Sequence, residues 1–170
     1  HVPVVAMCYA NPIYARGAER FLDALLAAGV SGLIVPDLPL EEAGSLRELC
    51  DERGLALVPL VAPTTPEDRL AEIGATARGF VYAVSQVGTT GERARLAAEL
   101  EPMLARVAAR TEVPVAVGFG IGDPAQAAAA AQAGADGVIV GSRLVRAAGQ
   151  DGDPEPAVRD LVRAFAAALG

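Results

Sequence analysis

The feature that most constrains this chain is a pattern that recurs six times along its 170 residues. Each copy begins with a short apolar run rich in β-branched residues, passes through a turn of Gly, Pro or Asp, and ends in an amphipathic stretch. Such a unit predicts a strand followed by a helix. The apolar runs lack strict polar alternation, which is typical of parallel strands buried on both faces. The predicted strands are Val2 to Tyr9, Gly32 to Val35, Ala56 to Val61, Phe80 to Val84, Val115 to Phe119 and Gly137 to Val140.

The boundaries of several helices can be predicted from their capping residues. Thr65 is expected to cap a helix that starts at Pro66, and Asp123 a helix that starts at Pro124, with Gln126 completing a capping box. Helix ends are expected where a glycine precedes the next strand, because glycine readily adopts the left-handed conformation that closes a last turn. These glycines are Gly29, Gly54, Gly74 or Gly79, and Gly134.

Parallel strands that alternate with helices form either an open doubly wound sheet or a closed barrel. Both architectures place ligands at the carboxyl ends of the strands, so the functional residues are expected there. The chain is shorter than the roughly 250 residues of a complete eight-unit barrel, and we expect one domain over residues 1–170.

Composition excludes several classes of function. The formal net charge is −7, with both signs interspersed, which predicts no nucleic-acid binding. No apolar run approaches the roughly 20 residues of a membrane span. The start of the chain lacks a signal peptide pattern, so we expect a cytoplasmic protein. Cys8 and Cys50 have no spacing typical of a metal or redox site and are interpreted as packing thiols.

Two glycine-rich turns carry the strongest functional signal. They are Gly118-Phe119-Gly120-Ile121-Gly122 and Gly141-Ser142-Arg143, and each follows a predicted strand. Glycines let backbone N–H groups approach an oxyanion, and a helix that begins at Ser142 would add the positive end of its dipole. In barrels a phosphate commonly sits between the last two strand ends. We therefore predict a phosphate site, the alternative being that the glycines only permit tight turns.

A dinucleotide-binding loop is a competing interpretation, since Gly118, Gly120 and Gly122 resemble part of its fingerprint and Asp136 follows. That fingerprint places its acid at the carboxyl end of the next strand, whereas Asp136 precedes its predicted strand. We therefore disfavour it.

A third loop, Ser85 to Gly91, combines three hydroxyl side chains with two glycines. Small residues permit hinge motion, so this loop is predicted to act as a lid over the phosphate site. The alternative is an ordinary solvated connection.

Polar groups also follow three other predicted strands or lie within them. They are Tyr9-Ala10-Asn11-Pro12, Asp37 in Val35-Pro36-Asp37-Leu38-Pro39, and Tyr82. All would face one opening at the carboxyl ends of the strands, which we call the mouth. Asp37 could instead cap the helix that follows it, and the two tyrosines could be core aromatics.

Taken in order, these segments resemble the tryptophan synthase α subunit family. The closest agreement lies in Val35-Pro36-Asp37-Leu38-Pro39-Leu40-Glu41-Glu42 and Leu60-Val61-Ala62-Pro63-Thr64-Thr65-Pro66. The segments Tyr82-Ala83-Val84-Ser85, Gly88-Thr89-Thr90-Gly91, Val117-Gly118-Phe119-Gly120-Ile121 and Asp136-Gly137-Val138-Ile139-Val140-Gly141-Ser142 extend it over essentially the whole chain.

The resemblance implies a (β/α)8 TIM barrel of the ribulose-phosphate-binding type, of which six of the eight βα units are present. It implies a lyase of tryptophan biosynthesis that cleaves indole-3-glycerol phosphate to indole and glyceraldehyde 3-phosphate. It further implies no cofactor or metal in this subunit, and an αββα assembly with a β subunit that carries pyridoxal phosphate.

Site residues carried over from the family fall into four groups. The phosphate would be held by Gly91, Gly120, Gly141 and Ser142. Leu60 and Phe119 would line the indole pocket, Tyr82 would sit beside the catalytic acid, and Thr90 would bond the catalytic aspartate, with Asp37 as a further supporting residue. Asn11 would lie at the partner interface. Gln86 departs from the arginine that many members have.

The family's two catalytic carboxylates precede the region that this chain matches, so the resemblance assigns no catalytic residue here. Cleavage needs a base at the indole nitrogen and an acid at the ring carbon, and Asp37 alone cannot supply both. We therefore expect the first two βα units to be absent and the chain alone to be inactive. The alternatives are a non-catalytic phosphate-binding fragment, or another phosphate-binding barrel such as an indole-glycerol-phosphate synthase.

Overall fold

Strands and helices follow one another along the chain in the order that the repeat predicts, with a second helix added after α1 and after α7 and one strand run divided in two. The computed structural model describes residues 2–84, 93–118, 120–150 and 152–170. The strands are β1 Val4–Met7, β2 Val30–Ile34, β3 Ala56–Leu57, β4 Leu60–Val61, β5 Val81–Val84, β6 Val115–Gly118 and β7 Gly137–Ile139. The helices are α1 Ala10–Arg16, α2 Ala18–Ala27, α3 Gly44–Glu52, α4 Glu67–Thr76, α5 Arg93–Ala108, α6 Pro124–Gln132, α7 Ser142–Ala148 and α8 Pro154–Leu169.

All of the strand pairs are parallel and follow chain order, β1-β2-β3 in one sheet and β4-β5-β6-β7 in the other. A doubly wound sheet reverses its strand order at a switch point, whereas a barrel does not. The observed order therefore favours the barrel. Among the described strands, β1 pairs only with β2 and β7 only with β6, so these two edges stay open.

The prediction of one strand over Ala56 to Val61 was wrong in part, because the run is divided at Val58 and Pro59. Proline has no N–H to donate to a neighbouring strand, so regular pairing cannot continue through it. The run still joins the two sheets. The Val58 nitrogen donates to the Leu33 oxygen at 2.9 Å, and the Tyr82 nitrogen donates to the Pro59 oxygen at 2.9 Å.

The strands bury two different faces. On one face Val81, Ala83, Val115 and Val117 pack with residues of α4, α5, α6 and α8 in the largest core cluster. The alternate residues on the other face form a second cluster, whose members all come from the strands or from the segments directly next to them. Its buried members are Ile34, Val58 and Tyr82, and the residues packed around them are Val5, Ala56, Leu60, Phe80, Val84 and Ile139. A helix-covered outer face and a strand-lined inner face are the two layers of a barrel wall.

The predicted helix boundaries were correct in part. Asp123 and Gln126 form the expected capping box at α6, and Gly29, Gly54 and Gly134 have positive φ as predicted. Thr65 does not cap α4. Its Oγ1 accepts a hydrogen bond from the Ala62 nitrogen at 2.9 Å, so the hydroxyl closes the turn before the helix instead.

The two predicted packing thiols differ in burial. Cys50 is fully buried in the cluster beneath α2 and α3, whereas Cys8 is half-buried at the edge of the same cluster. Burial raises the pKa of Cys50 to about 11, and the nearby charge of Asp51 adds to this effect. The thiol therefore stays protonated at neutral pH.

Candidate functional site

The two predicted anion-binding turns come together at the carboxyl edge of the sheet. Gly118 is paired with Ile139 in the parallel register of β6 and β7. Gly120 and Gly141 each lie two residues beyond these partners, and neighbouring strands run only about 4.8 Å apart. Gly120 has φ +88°, a conformation that favours glycine. α7 begins at Ser142 as predicted, and all three residues are exposed.

Gly118 has a different role from the one that its position in a glycine-rich turn suggested. It is the last residue of β6, and a Cβ atom there would lie 2.4 Å from the hydroxyl oxygen of Tyr82. The absence of a side chain thus lets the aromatic ring lie against the strand. Gly118 is required for packing, and among these glycines Gly120 and Gly141 remain the candidates for contact with an anion.

Tyr82 and Leu60 lie side by side on the inner face, and the assignment of Leu60 to an indole pocket stays a prediction. The two residues are paired in the register of β4 and β5, and both belong to the inner cluster. Tyr82 is 7% exposed, and its burial raises the pKa of the phenol. Its hydroxyl is therefore neutral over the physiological range and is available as a hydrogen-bond donor.

Three further residues of this pocket were not singled out from the sequence. Ile34, Phe80 and Ile139 belong to the same inner cluster as Leu60 and Tyr82. The signal that could have found them is the strand period, because residues two apart share a face. Phe80 precedes Tyr82 by two positions and could have been assigned in that way.

Asp37 does not cap the helix that follows it. Its Oδ1 accepts a hydrogen bond from the Ala10 nitrogen at 2.9 Å, across 27 residues. Ala10 is the first residue of α1, so the carboxylate caps a helix that begins in the preceding βα unit. Desolvation and the negative charge of Asp37 both raise the pKa of Cys8. The bond joins two strand ends and fixes the segment that leads to Asn11, which is exposed.

Asp136 lies at the opposite edge of the sheet from the mouth. Its nitrogen donates to the Val115 oxygen at 2.9 Å, and its Oδ2 accepts from the Val115 nitrogen at 2.8 Å. Both contacts are at the amino ends of β6 and β7. Asp136 therefore cannot serve as the acid of a dinucleotide-binding site, which would lie at the carboxyl end of a strand.

Several predicted residues lie outside the described part of the chain. They are Thr90, Gly91 and Phe119, together with Gln86 and the rest of the predicted lid. In the ranges that the structure covers, no three His, Cys, Asp or Glu side chains are grouped so that they could hold a metal ion. Within the same ranges no helix has the length and apolarity to cross a membrane.

Comparison with known proteins gives one consistent family. A family model described as tryptophan synthase alpha chain matches residues 1–168. Among curated relatives, the tryptophan synthase alpha chain of Methanosarcina mazei is 47% identical over 162 residues, covering 95% of this chain and 59% of the relative. That of Lactiplantibacillus plantarum is 44% identical over 168 residues, covering 99% of this chain and 63% of the relative.

Solved structures agree with this result. The chain superimposes on a subunit of the tryptophan synthase a2b2 complex from Pyrococcus furiosus with a TM-score of 0.88 and 38% identity, covering 97% of this chain and 67% of that one. For the tryptophan synthase alpha chain of Legionella pneumophila the TM-score is 0.86 and the identity 35%, with coverage of 99% and 63%. The chain thus spans about three fifths of the length of these curated relatives.

Proposed function

Because this chain belongs to the tryptophan synthase alpha chain family, we propose that it forms the phosphate-binding part of a lyase subunit that cleaves indole-3-glycerol phosphate. The products would be indole and glyceraldehyde 3-phosphate. The observation that carries the proposal is the convergence of Gly120, Gly141 and Ser142 at the carboxyl edge of β6 and β7. Exposed backbone N–H groups and a hydroxyl at that edge suit the three oxygens of a phosphate monoester.

The inner face would hold the aromatic part of the substrate. Leu60 and Tyr82 supply a buried apolar wall next to the strand end that leads to the phosphate turns. Phe119 is proposed for the same pocket, and Gly91 and Thr90 for the phosphate and for the aspartate that acts on the indole. These assignments rest on the family resemblance.

We propose that these 170 residues bind the substrate's phosphate without catalysing cleavage. Cleavage requires two groups, one that removes the indole N–H proton and one that protonates the ring carbon from which the glycerol chain departs. Among the described carboxylates in the loops that follow the strands, Asp37 accepts the Ala10 N–H, Glu41 is paired with Arg69, and Asp123 accepts the Gln126 N–H. None of these three contacts joins two carboxylates in such a pair.

A tryptophan synthase β subunit is the partner that we propose, and the pyridoxal phosphate would belong to that partner. Support comes from the solved relative that is part of an a2b2 complex. Asn11 is exposed on α1 beside the Asp37 contact and is the proposed interface residue. A cytoplasmic location belongs to the same proposal.

Titration with glycerol phosphate, followed by NMR, tests the phosphate site. Gly141→Val puts a branched side chain at the mouth, where no other atom lies within 4 Å of its Cβ position. We expect binding to weaken about tenfold, equivalent to roughly 1.4 kcal/mol, and Gly120→Val to act in the same direction. Asp136→Asn, at the far edge, is the control. Equal losses in all three variants would show that the glycines serve only as turns.

Indole release tests the second part of the proposal. The 170-residue chain should release no indole from indole-3-glycerol phosphate above background, with or without an added β subunit. Substantial release by this chain alone would show that its own residues carry the catalytic roles.

A further inference from the structure

A groove of about 400 Å³ runs between α3 and α4, away from the phosphate turns. Ala43, at the start of α3, and Arg47 line one side, and Arg69, Ile73 and Thr76 of α4 line the other. Leu57 and Pro59 of the divided strand also line it. Val58 and Leu60, which belong to the inner cluster with Tyr82, line it as well, so the groove extends from the gap between the two outer helices to the run that joins the two sheets.

The groove follows from how the outer core is divided. Residues beneath α2 and α3 form one cluster, which includes Leu46 and Leu55. Residues beneath α4, α5, α6 and α8 form another, which includes Leu70 and Ile73. α3 packs against α2 and α4 against α5, so the groove marks the boundary between the two clusters. Apolar walls at such a boundary are available to a ligand of matching size.

The two arginines of the groove are in different electrostatic states. The Arg69 guanidinium forms an ion pair with Glu41, so its charge is already balanced. Arg47 is half-buried and has no acceptor among the residues that the structure describes. Asp51, four residues further along α3, is the acid best spaced to pair with it, but its carboxylate lies 3.7 Å from Arg78 instead. One positive charge in the groove is therefore unbalanced.

We propose that this groove is a second ligand site, which takes a small monocarboxylate with an apolar body. The guanidinium of Arg47 would bind the carboxylate through paired N–H donors, the geometry that this side chain offers best. The body would lie between Ala43 and Ile73. A phosphate dianion fits less well, because only one unpaired cation faces it. The groove shares Leu60 with the proposed indole pocket but includes neither of the phosphate turns, so the carboxylate contact at Arg47 does not rest on the proposed lyase function.

An NMR titration of the 170-residue chain with phenylbutyrate tests the site. Phenylbutyramide has the same apolar body without the charge and serves as the matched ligand. We expect saturable shifts of the amide signals of Ala43, Arg47 and Ile73, with phenylbutyrate binding about tenfold more tightly than the amide. Arg47→Gln should abolish that preference. Arg159→Gln, on the exposed face of α8, should leave it unchanged.

Three results would overturn the proposal. The first is no saturable shift of the groove signals up to about 10 mM ligand, which is weaker than any specific site of this size should bind. The second is equal affinity for the acid and the amide, which would leave an apolar groove without an anion site. The third is a shift centred on Gly141 and Ser142, which would place the carboxylate at the phosphate turns instead.

Discussion

The two parts of this molecule pack their helices very differently although they arise from one repeated pattern. In the part that carries α4 and α5, a Cβ atom on Gly74 would lie 1.8 Å from the backbone oxygen of Arg110, so the two segments meet without room for a methyl group. In the part that carries α3, Gly44 has no foreign atom within 4 Å of the same position. A βα repeat therefore specifies the order of its helices but not how closely neighbouring helices approach.

The hydrogen bonds and ion pairs between neighbouring segments also differ between the two parts. Arg106 of α5 donates to the backbone oxygens of Pro63 at 3.2 Å and Thr65 at 2.8 Å, and it pairs with Glu67. One guanidinium thus ties α5 to the turn before α4, and hydrogen bonds to it lower the pKa of Glu67. Across the groove, Arg47 of α3 makes no corresponding contact with a described residue. On the side of α4 and α5, packing and charge therefore both hold neighbouring segments together.

The largest expected effect comes from replacing one helical glycine by alanine in each part. The free energy of unfolding should fall in one variant and rise in the other. Gly74→Ala forces α4 away from Arg110, so we expect a loss of about 3 kcal/mol in the free energy of unfolding. Gly44→Ala, in open space at the start of α3, should gain about 0.5 kcal/mol from the lower entropy of the unfolded chain. Urea unfolding of both variants measures the difference. Similar small changes in both would remove the contrast between the two parts.

A smaller effect is expected on the inner face, within the tightly packed part. Gly118→Ala would place a methyl group against the Tyr82 ring, so the ring must move or the strands must separate. We expect a loss of about 2 kcal/mol in the free energy of unfolding and a change in the tyrosine signal of the near-ultraviolet circular dichroism. Gly137→Ala is the control, since its Cβ would meet Ala116 at an ordinary 3.6 Å. If the two variants had the same unfolding curve, Gly118 and the Tyr82 ring would not be in close contact.

A third effect, which appears only at alkaline pH, is expected from Cys50 in the other part. The buried Cys50 thiol has its pKa raised from 9.0 to about 11. A group whose pKa is raised in the folded protein stabilises it fully below the unfolded value, and this contribution is lost as pH rises towards the folded value. Stability should therefore fall between pH 9 and pH 11, by at most about 1.4 kcal/mol per pH unit. The Cys50→Ala variant should lack this loss of stability. If the free energy of unfolding depended on pH in the same way in both proteins, Cys50 would not be its source.

Local signals in the sequence predicted much of this fold. The strand period and the capping box at Asp123 gave the element order because both depend on residues a few positions apart. The pairing of Leu60 with Tyr82 also follows from the order of the strands. Features that join distant residues were not predictable in this way. The bond from Ala10 to Asp37 and the contact of Gly74 with Arg110 depend on how complete elements dock.

For the candidate site, the sequence predicted which turns converge but not what each glycine does. Gly118 and Gly120 lie two residues apart in one apparent motif, yet one accommodates an aromatic ring and the other has the left-handed backbone of a turn. Composition cannot separate these roles, because both need only the absence of a side chain. The neighbour that decides between them, Tyr82, belongs to another strand.

The divided strand at Val58 and Pro59 has a consequence for cooperativity. Regular pairing stops there, and the backbone bonds that carry the chain from one sheet to the other include Val58 to Leu33 and Tyr82 to Pro59. The core clusters on either side of the helix-covered face are also separate. The inner cluster, in which Val5 and Ile34 pack with Tyr82, is shared by both sheets. Units with otherwise separate cores and few shared bonds can open one at a time. We therefore expect amide protons of β1 and β2 to exchange through a local opening that leaves those of β5 and β6 protected.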